Sequence, residues 1–407
     1  MNQSIKAPSG KAPSGNTPSG VTSSGGPVAT AASLPALVAQ RAAAAPARVI
    51  LRRKARGIWQ TTTWGQLADA VQRIAAALHG QEIGAGDAVA IIAETRPETV
   101  YCDLAAQACG AASVAVHTDI EAEALGHVLR ATGCRLAFAE GEEQLDKLLT
   151  IRDQCPALSR IVIFDMKGLR EFHDSQCVSL DSFADHGDRA FDWKTAAARV
   201  PGDSAAVILF PRDDTTSLGQ VLTHHDILRT LDQARARLAL SPKDERLAVL
   251  SMSDPTERVW GLYAALESGC VSNYLESADT AAENLQELRP TVLGADADAW
   301  AHLHGQATRA AKGATFVQRV LYDWAIKAGR LNGSTGRLAD LAVLASVRRE
   351  FGLNRVRLAY IGGAPVSPPT LDWARSLGIQ IERIEDTSVA GGQPARQYDP
   401  VMQRAPA

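Results

Sequence analysis

Residues able to do chemistry gather in one stretch, Ala206–His224, which reads AVILFPRDDTTSLGQVLTH. Two adjacent carboxylates, Asp213 and Asp214, precede the hydroxyls of Thr215, Thr216 and Ser217, and Gly219 follows. A strand that enters a turn-rich loop and then a helix leaves backbone N–H groups free, the geometry that cradles phosphate. Thr223-His-His-Asp226 fits the capping box S/T-x-x-D/E, which starts that helix at His224 or His225. The acidity opposes such a use, because two unit charges near 4 Å repel by about 1 to 4 kcal/mol between water-like and surface-like dielectric. The three hydroxyls could hold a phosphate or sulfate, or simply form a turn. Asp213, Asp214 and Asp254 would form a metal site only by converging, whereas adjacent loop aspartates are usually solvated.

The elements that must position this stretch are legible on both sides of it. Thr63-Trp-Gly-Gln66 is another capping box and predicts a helix with Leu67, Val71, Ile74, Ala75 and Leu78 on one face. Gly84 and Gly86-Asp87 then turn the chain into Ala88–Ala93, an unbroken apolar run that predicts a strand buried on both faces. Similar runs lie at 113–116, 136–139, 161–164, 205–210, 247–250, 291–293 and 358–361. Helical segments separate most of them, which predicts an α/β fold of parallel sheets covered by helices. The polar stretch 181–201 is the expected boundary between a first α/β unit, 31–195, and a second, 196–392. Residues 6–25 form a decaying repeat, KAPSGKAPSGNTPSGVTSSG, so 1–30 is expected to be a flexible tail, and 393–407 another.

With 407 residues, 46% hydrophobic and 21% charged, the chain can bury two or three packed units. A formal charge of -3 offers no overall attraction to nucleic acid or an anionic membrane. Arg52-Arg53-Lys54 reads as a solvated face. The six cysteines are scattered without zinc-ligand spacing, as buried reduced thiols would be. No apolar run approaches the roughly 20 residues that span a bilayer, and a cytoplasmic protein with no transmembrane segment is the default.

From about Leu34 to Gly392 the chain resembles the adenylate-forming enzymes, specifically bacterial long-chain fatty-acyl-CoA synthetases. The resemblance rests on the order and spacing of Trp64-Gly-Gln-Leu67, Tyr101-Cys-Asp-Leu-Ala-Ala-Gln-Ala-Cys-Gly110, Glu257-Arg-Val259, Leu288-Arg-Pro-Thr291, Leu321-Tyr-Asp-Trp-Ala325 and Ile361-Gly-Gly-Ala-Pro-Val-Ser367. It implies the N-terminal domain of that family, with two helix-covered, largely parallel sheets in layers and no C-terminal small domain. The family joins a carboxylate to AMP from Mg-ATP and then passes the acyl group to CoA. By resemblance, the opening loop would hold ATP phosphates, and Gly362, Gly363, Ala364 and Pro365 would line the adenine and acyl pocket unless they are only a turn the fold needs. His224 falls where the family has a structural helix-start residue, which favours a capping role.

The motifs of nucleotide chemistry depart from the family. Its loop reads Thr-Ser-Gly-Thr-Thr-Gly-x-Pro-Lys-Gly; this chain keeps Thr215, Thr216 and Gly219, substitutes Asp213-Asp214 and Ser217 for glycine-bearing positions, and lacks the Pro-Lys pair. The lost glycines restrict close backbone approach and the lost Lys removes a charge from the polyphosphate. Asp254 stands at the family's active-site His, and Asp298 at its Arg. The family's Tyr-Gly-x-Thr-Glu becomes Glu385-Asp-Thr-Ser-Val389, and aligning Thr387 puts Ser388 at the magnesium Glu. A Gly/Pro/Gln-rich tail, 391–407, stands where the family continues toward its mobile lysine-bearing domain.

These departures lead to an expected pseudoenzyme: a scaffold with no catalytic residue and no metal site, and with ATP and magnesium bound only if family activity persists. A residual nucleotide or acyl pocket would comprise Thr215, Thr216, Ser217, Gly219, Gly362, Gly363, Ala364, Pro365 and Thr387. The expected partners are a fatty acid, an acyl-CoA or a protein, not nucleic acid. The alternative is an active fatty-acid–CoA ligase or acyl-adenylating subunit completed by a separate C-terminal domain.

Overall fold

A computed structural model describes residues 31–210, 219–329, 334–384 and 396–397. The first strands in chain order are β1 (Val49–Ala55), β2 (Ile58–Thr63), β3 (Ala88–Ile92), β4 (Ala112–Val116), β5 (Leu136–Ala139), β6 (Arg160–Ile163) and β7 (Cys177–Ser179). They are followed by β8 (Ala205–Leu209), β9 (Gln220–Thr223), β10 (Glu245–Ala248), β11 (Val271–Tyr274), β12 (Val292–Gly294), β13 (Leu358–Ile361), β14 (Ile381–Arg383) and β15 (Arg396–Gln397). One sheet has the order β14-β13-β12-β10-β11-β1-β2 and the other β15-β9-β8-β4-β3-β5-β6-β7. Pairing is parallel except for β1 with β2, β8 with β9, and β9 with β15.

The eight apolar runs read from the sequence are all strands, and both capping boxes open helices: Thr63 caps Trp64–Gly80 and Thr223 caps His224–Leu238. The expected boundary near residue 195 does not separate the sheets. β1 and β2 lie in the sheet built from β10 to β14, whereas β8 and β9 join the sheet of β3 to β7, and from Ala31 onward the chain forms one unit. Strand partners are selected by matching apolar faces and ladder edges, so neighbours in a sheet need not be neighbours in sequence. The β1–β2 hairpin was not anticipated. Its apolar start, Val49-Ile50-Leu51, is only three residues long, and the rest of both strands is mostly polar and half-buried or exposed, so no long apolar run marks them.

Strand alternation sorts the core into three layers. Val89, Ile91, Leu136 and Phe138 face a central layer with Val292 and Tyr360 of the other sheet. Ala88, Ala90, Ile92 and Ala137 face outward beneath their own helices, and Leu247, Leu293 and Ala359 do the same on the opposite side. Arg52-Arg53-Lys54 is not a solvated face. Sheet neighbours half-bury it, and Arg52, Arg53 and Lys54 pair with Glu245, Glu98 and Glu287.

The central layer holds two fully buried ion pairs on consecutive residues. The π-helix Thr256–Tyr263 presents Glu257 to Arg246 on β10, at 2.5 Å, and Arg258 to Asp103 on the Pro97–Ala108 helix. Asp103 also accepts the Tyr263 hydroxyl at 2.8 Å, Gln107 Nε2 at 3.0 Å and the Ser113 hydroxyl at 2.5 Å. Burial pulls the Arg246 guanidinium down, but the Glu257 carboxylate outweighs it and holds the group above its ordinary value. Removing one partner of such a pair strands the other charge without water.

A second tie fixes the N-terminal ends of three strands. Asp244, just before β10, accepts from Arg357 Nε at 2.7 Å, Thr291 Oγ1 at 2.9 Å and Ser241 Oγ at 2.8 Å. Burial raises its carboxyl, but hydrogen bonds from Arg357, Ser241 and Thr291 prevail and bring it down from 3.8 to about 2.

Two outcomes follow. Arg258→Met is expected to lower the unfolding free energy in urea by about 3 to 5 kcal/mol, and Asp103→Leu added to it is expected to restore part of that loss. Because the folded Asp244 value is depressed, its stabilisation is present above pH 4 and lost as pH falls toward about 2. Asp244→Asn is therefore expected to flatten the acid limb of a stability-versus-pH profile over that window.

Candidate functional site

The C-terminal ends of β3, β4, β8, β10 and β12 converge on a cleft of about 490 Å³. Ligands of layered α/β proteins bind at this end of the strands. Phe210, just before residues 211–218, and Gln220, two positions after them, both line the cleft, as do Glu94, His117, Asp119, Ser251, Asp254 and Asp296. The two sheets are stitched beneath it: Thr95 Oγ1 donates to the Leu250 carbonyl at 2.9 Å and accepts the Met252 N–H at 2.8 Å.

The electrostatics are one-sided. Four carboxylates line the cleft, Glu94, Asp119, Asp254 and Asp296, and among the described lining residues there is no Lys or Arg. Two cations nearby are taken by other carboxylates. Arg96 pairs with Glu98 at 2.8 Å and Glu140 at 3.0 Å, and Lys147 pairs with Glu143 at 3.0 Å while donating to the Thr118 carbonyl. Among the described residues no three His, Cys, Asp or Glu side chains are placed to hold a metal ion.

Two of these acids have evident structural employment. Asp254 Oδ1 accepts the N–H groups of Thr256 at 2.8 Å and Glu257 at 3.0 Å, so it caps the π-helix. Asp296 accepts from Ala299 N–H at 2.7 Å and caps the helix Ala297–Gly313, whose first turn carries Asp298. Carboxylates at helix starts satisfy free N–H groups and meet the positive end of the helix dipole. Asp254 and Asp296 therefore serve as helix caps, whereas Asp298 lies in the first turn of the helix that Asp296 caps.

The glycines foreseen as pocket lining are demanded by packing. A Cβ on Gly219 would lie 2.5 Å from the Ile208 side chain and 2.8 Å from the Phe210 ring, and one on Gly362 would lie 1.8 Å from Thr256 Oγ1. Gly363 has φ +67, a backbone region that favours glycine. Ala364 and Pro365 are exposed in the loop after β13. Neither the cleft nor the cavity described below is lined by any of these residues at 362–365. Asp213, Asp214, Thr215, Thr216, Ser217, Thr387 and Ser388 lie outside the described residues.

Two further expectations change. The acidic loop was read as running straight into a helix, but β9 intervenes and pairs antiparallel with β8. His224 does not cap. Thr223 is the cap, while the buried His224 ring accepts Leu34 N–H at Nδ1, 3.4 Å away, and burial pushes it down to about 4.

Sequence reading missed an apolar cavity of about 640 Å³ behind the cleft, walled by Leu247, Val249, Leu275, Leu285, Leu293 and Leu303. Asp279, Asp298, His302 and Gln306 supply its polar side chains, and Val249 and Asp296 line both spaces. The available signal was the i, i+2 spacing of Leu247 with Val249 and of Leu293 with Ala295, which sends a strand residue and the residue just past the strand's end to the same side.

Two largely parallel sheets in helix-covered layers, with a cleft at the strand C-termini, define the N-terminal domain of an adenylate-forming enzyme. The chain belongs to the AMP-binding enzyme family, whose model matches residues 38–387. It is 23% identical to the long-chain-fatty-acid–CoA ligase ACSBG2 of Xenopus laevis, covering 75% of this chain and 44% of that one. To the long-chain-fatty-acid–CoA ligase FadD15 of Mycobacterium bovis it is 26% identical, covering 87% and 60%. The chain thus spans about half the length of the curated relatives it matches. The fold is shared with the A domain of a carboxylic acid reductase from Segniliparus rugosus, solved with AMP and a co-purified carboxylic acid, at TM-score 0.66 and 18% identity over 88% of this chain and 61% of that one.

If the Ile361–Pro365 segment is held by packing, Gly362→Ala should cost about 1 to 3 kcal/mol through overpacking. Ala364→Ser, on the exposed side of the same loop, should stay within about 0.5 kcal/mol. Chemical denaturation of both variants measures the difference.

Proposed function

We propose that this chain is a long-chain-acyl-CoA-ligase-like domain that binds an acyl ligand and performs no adenylate chemistry. One observation carries the reading: the cleft at the strand C-termini is lined by four carboxylates and, among the described residues, by no lysine or arginine. A triphosphate there would meet charge of its own sign where nucleotide sites place cations and free N–H groups. The relatives named as long-chain-fatty-acid–CoA ligases supply the ligand class, and the apolar cavity behind the cleft supports it. Its leucine walls suit an alkyl chain, while Asp279 and Asp298 disfavour a carboxylate drawn inside, so the head group would remain toward the cleft.

The expected result of an ATP–pyrophosphate exchange assay with palmitate is no turnover above a protein-free control; turnover would refute the reading. Binding of a fluorescent long-chain fatty acid is expected, and Leu303→Trp, on the half-buried helical wall of the cavity, should weaken it about tenfold with the thermal midpoint little changed, in line with a pocket contact worth about 1 to 3 kcal/mol. The competing reading, an acyl-adenylating subunit completed by a separate domain, requires Mg-ATP in the acidic cleft. Calorimetry at millimolar nucleotide distinguishes the two, and no binding heat is expected.

A further inference from the structure

Exposed apolar side chains are concentrated in one part of this protein. Among the described residues, seven of the eight large apolar side chains that face solvent fall within 316–341. Five of them, Phe316, Val317, Val320, Leu321 and Trp324, recur at i, i+1, i+4, i+5 and i+8 along the helix Phe316–Ala328 and so share one face. Ala325 and Ala328 are buried, and the helix packs on Pro368–Ser376 and on the turns around Asp340–Leu344. Leu338 and Leu341, at 61% and 80% exposure, are on the adjoining segments.

The charge of the same region is the reverse of the chain's. Residues 301–350 contain eight Lys or Arg and three Asp or Glu, net +5, in a chain of net charge -3, which leaves -8 for the remainder. Arg309, Lys312, Arg319, Lys327, Arg337 and Arg349 are exposed. The overall charge therefore conceals a local basic surface. A second copy docking face to face would bring like charges together, and nucleic acid would leave the apolar stripe without a partner. Apolar residues flanked by cations, with Trp324 among them, match the interface of an anionic bilayer, where the helix would lie in the plane of the headgroups.

We infer that the helix Phe316–Ala328 and its basic surroundings form a peripheral docking surface for anionic lipid membranes. The surface and its test are independent of whether the acyl cavity is occupied. In flotation assays the full chain is expected to rise with equimolar phosphatidylglycerol–phosphatidylcholine vesicles, to rise poorly with phosphatidylcholine alone, and to be released at high salt. Arg319→Glu/Lys327→Glu should weaken association about tenfold or more, and Leu321→Ser/Trp324→Ser should do so at unchanged charge. The charge-reversal pair is fully at the surface, so it remains informative if the apolar pair fails to fold. Absence of flotation with anionic vesicles, equal flotation of the charge-reversal variant, or a dimer seen by light scattering that these substitutions dissolve without any vesicle binding would each overturn the proposal.

Discussion

The consecutive residues Glu257 and Arg258 hold this architecture together. In a π-helix they point to different partners: the carboxylate meets Arg246 of one sheet, and the guanidinium meets Asp103 and Ser113 on elements of the other. All four charged groups are shut off from water. Charges so placed are tolerated only in one arrangement, because any shift between the sheets leaves a buried charge without its counterion. The pairs set the separation and register of the layers, and Gly261 and Gly362 provide the close approaches this requires. A Cβ on Gly261 would fall 2.7 Å from both Arg246 and Glu257.

This constraint bears directly on the cleft. Asp254 begins the helix that carries both buried charges, and its carboxylate accepts the N–H of Glu257 itself. Asp254 thus secures the element on which the central layer depends. Asp296 has a similar place at the start of Ala297–Gly313. Two of the cleft's acids are consequently tied to stability, because a carboxylate at a helix start satisfies free N–H groups and gains from the helix dipole.

Much of the fold was legible in the sequence. The apolar runs at 88–93, 136–139 and 205–210 are buried strands because strands covered on both faces show no alternation. The capping boxes at Thr63 and Thr223 mark helix starts because side chain and backbone satisfy each other locally. Harder to read were β1 and β2, whose polar side chains find distant partners such as Glu245 and Glu287, and the left-handed or crowded glycines, whose need is visible only against Thr256 or Phe210. The acidity of the site was legible; the helix-capping use of Asp254 and Asp296 was partly so, and the apolar cavity hardly at all.

By itself the sequence determined the local and the compositional: where helices begin, which segments are buried strands, and that the chain shares the family's order of motifs. Tertiary structure alone decided which strands share a sheet, that Arg258 finds Asp103 across 155 positions of chain, that leucines from β10, β12 and the surrounding segments line one open pocket, and that an apolar stripe and a basic region meet on the same surface. The physical reason is range. Capping, turn chemistry and hydrophobic period act within a few residues, whereas burial, ion pairing and packing depend on groups that only folding brings within a few ångströms.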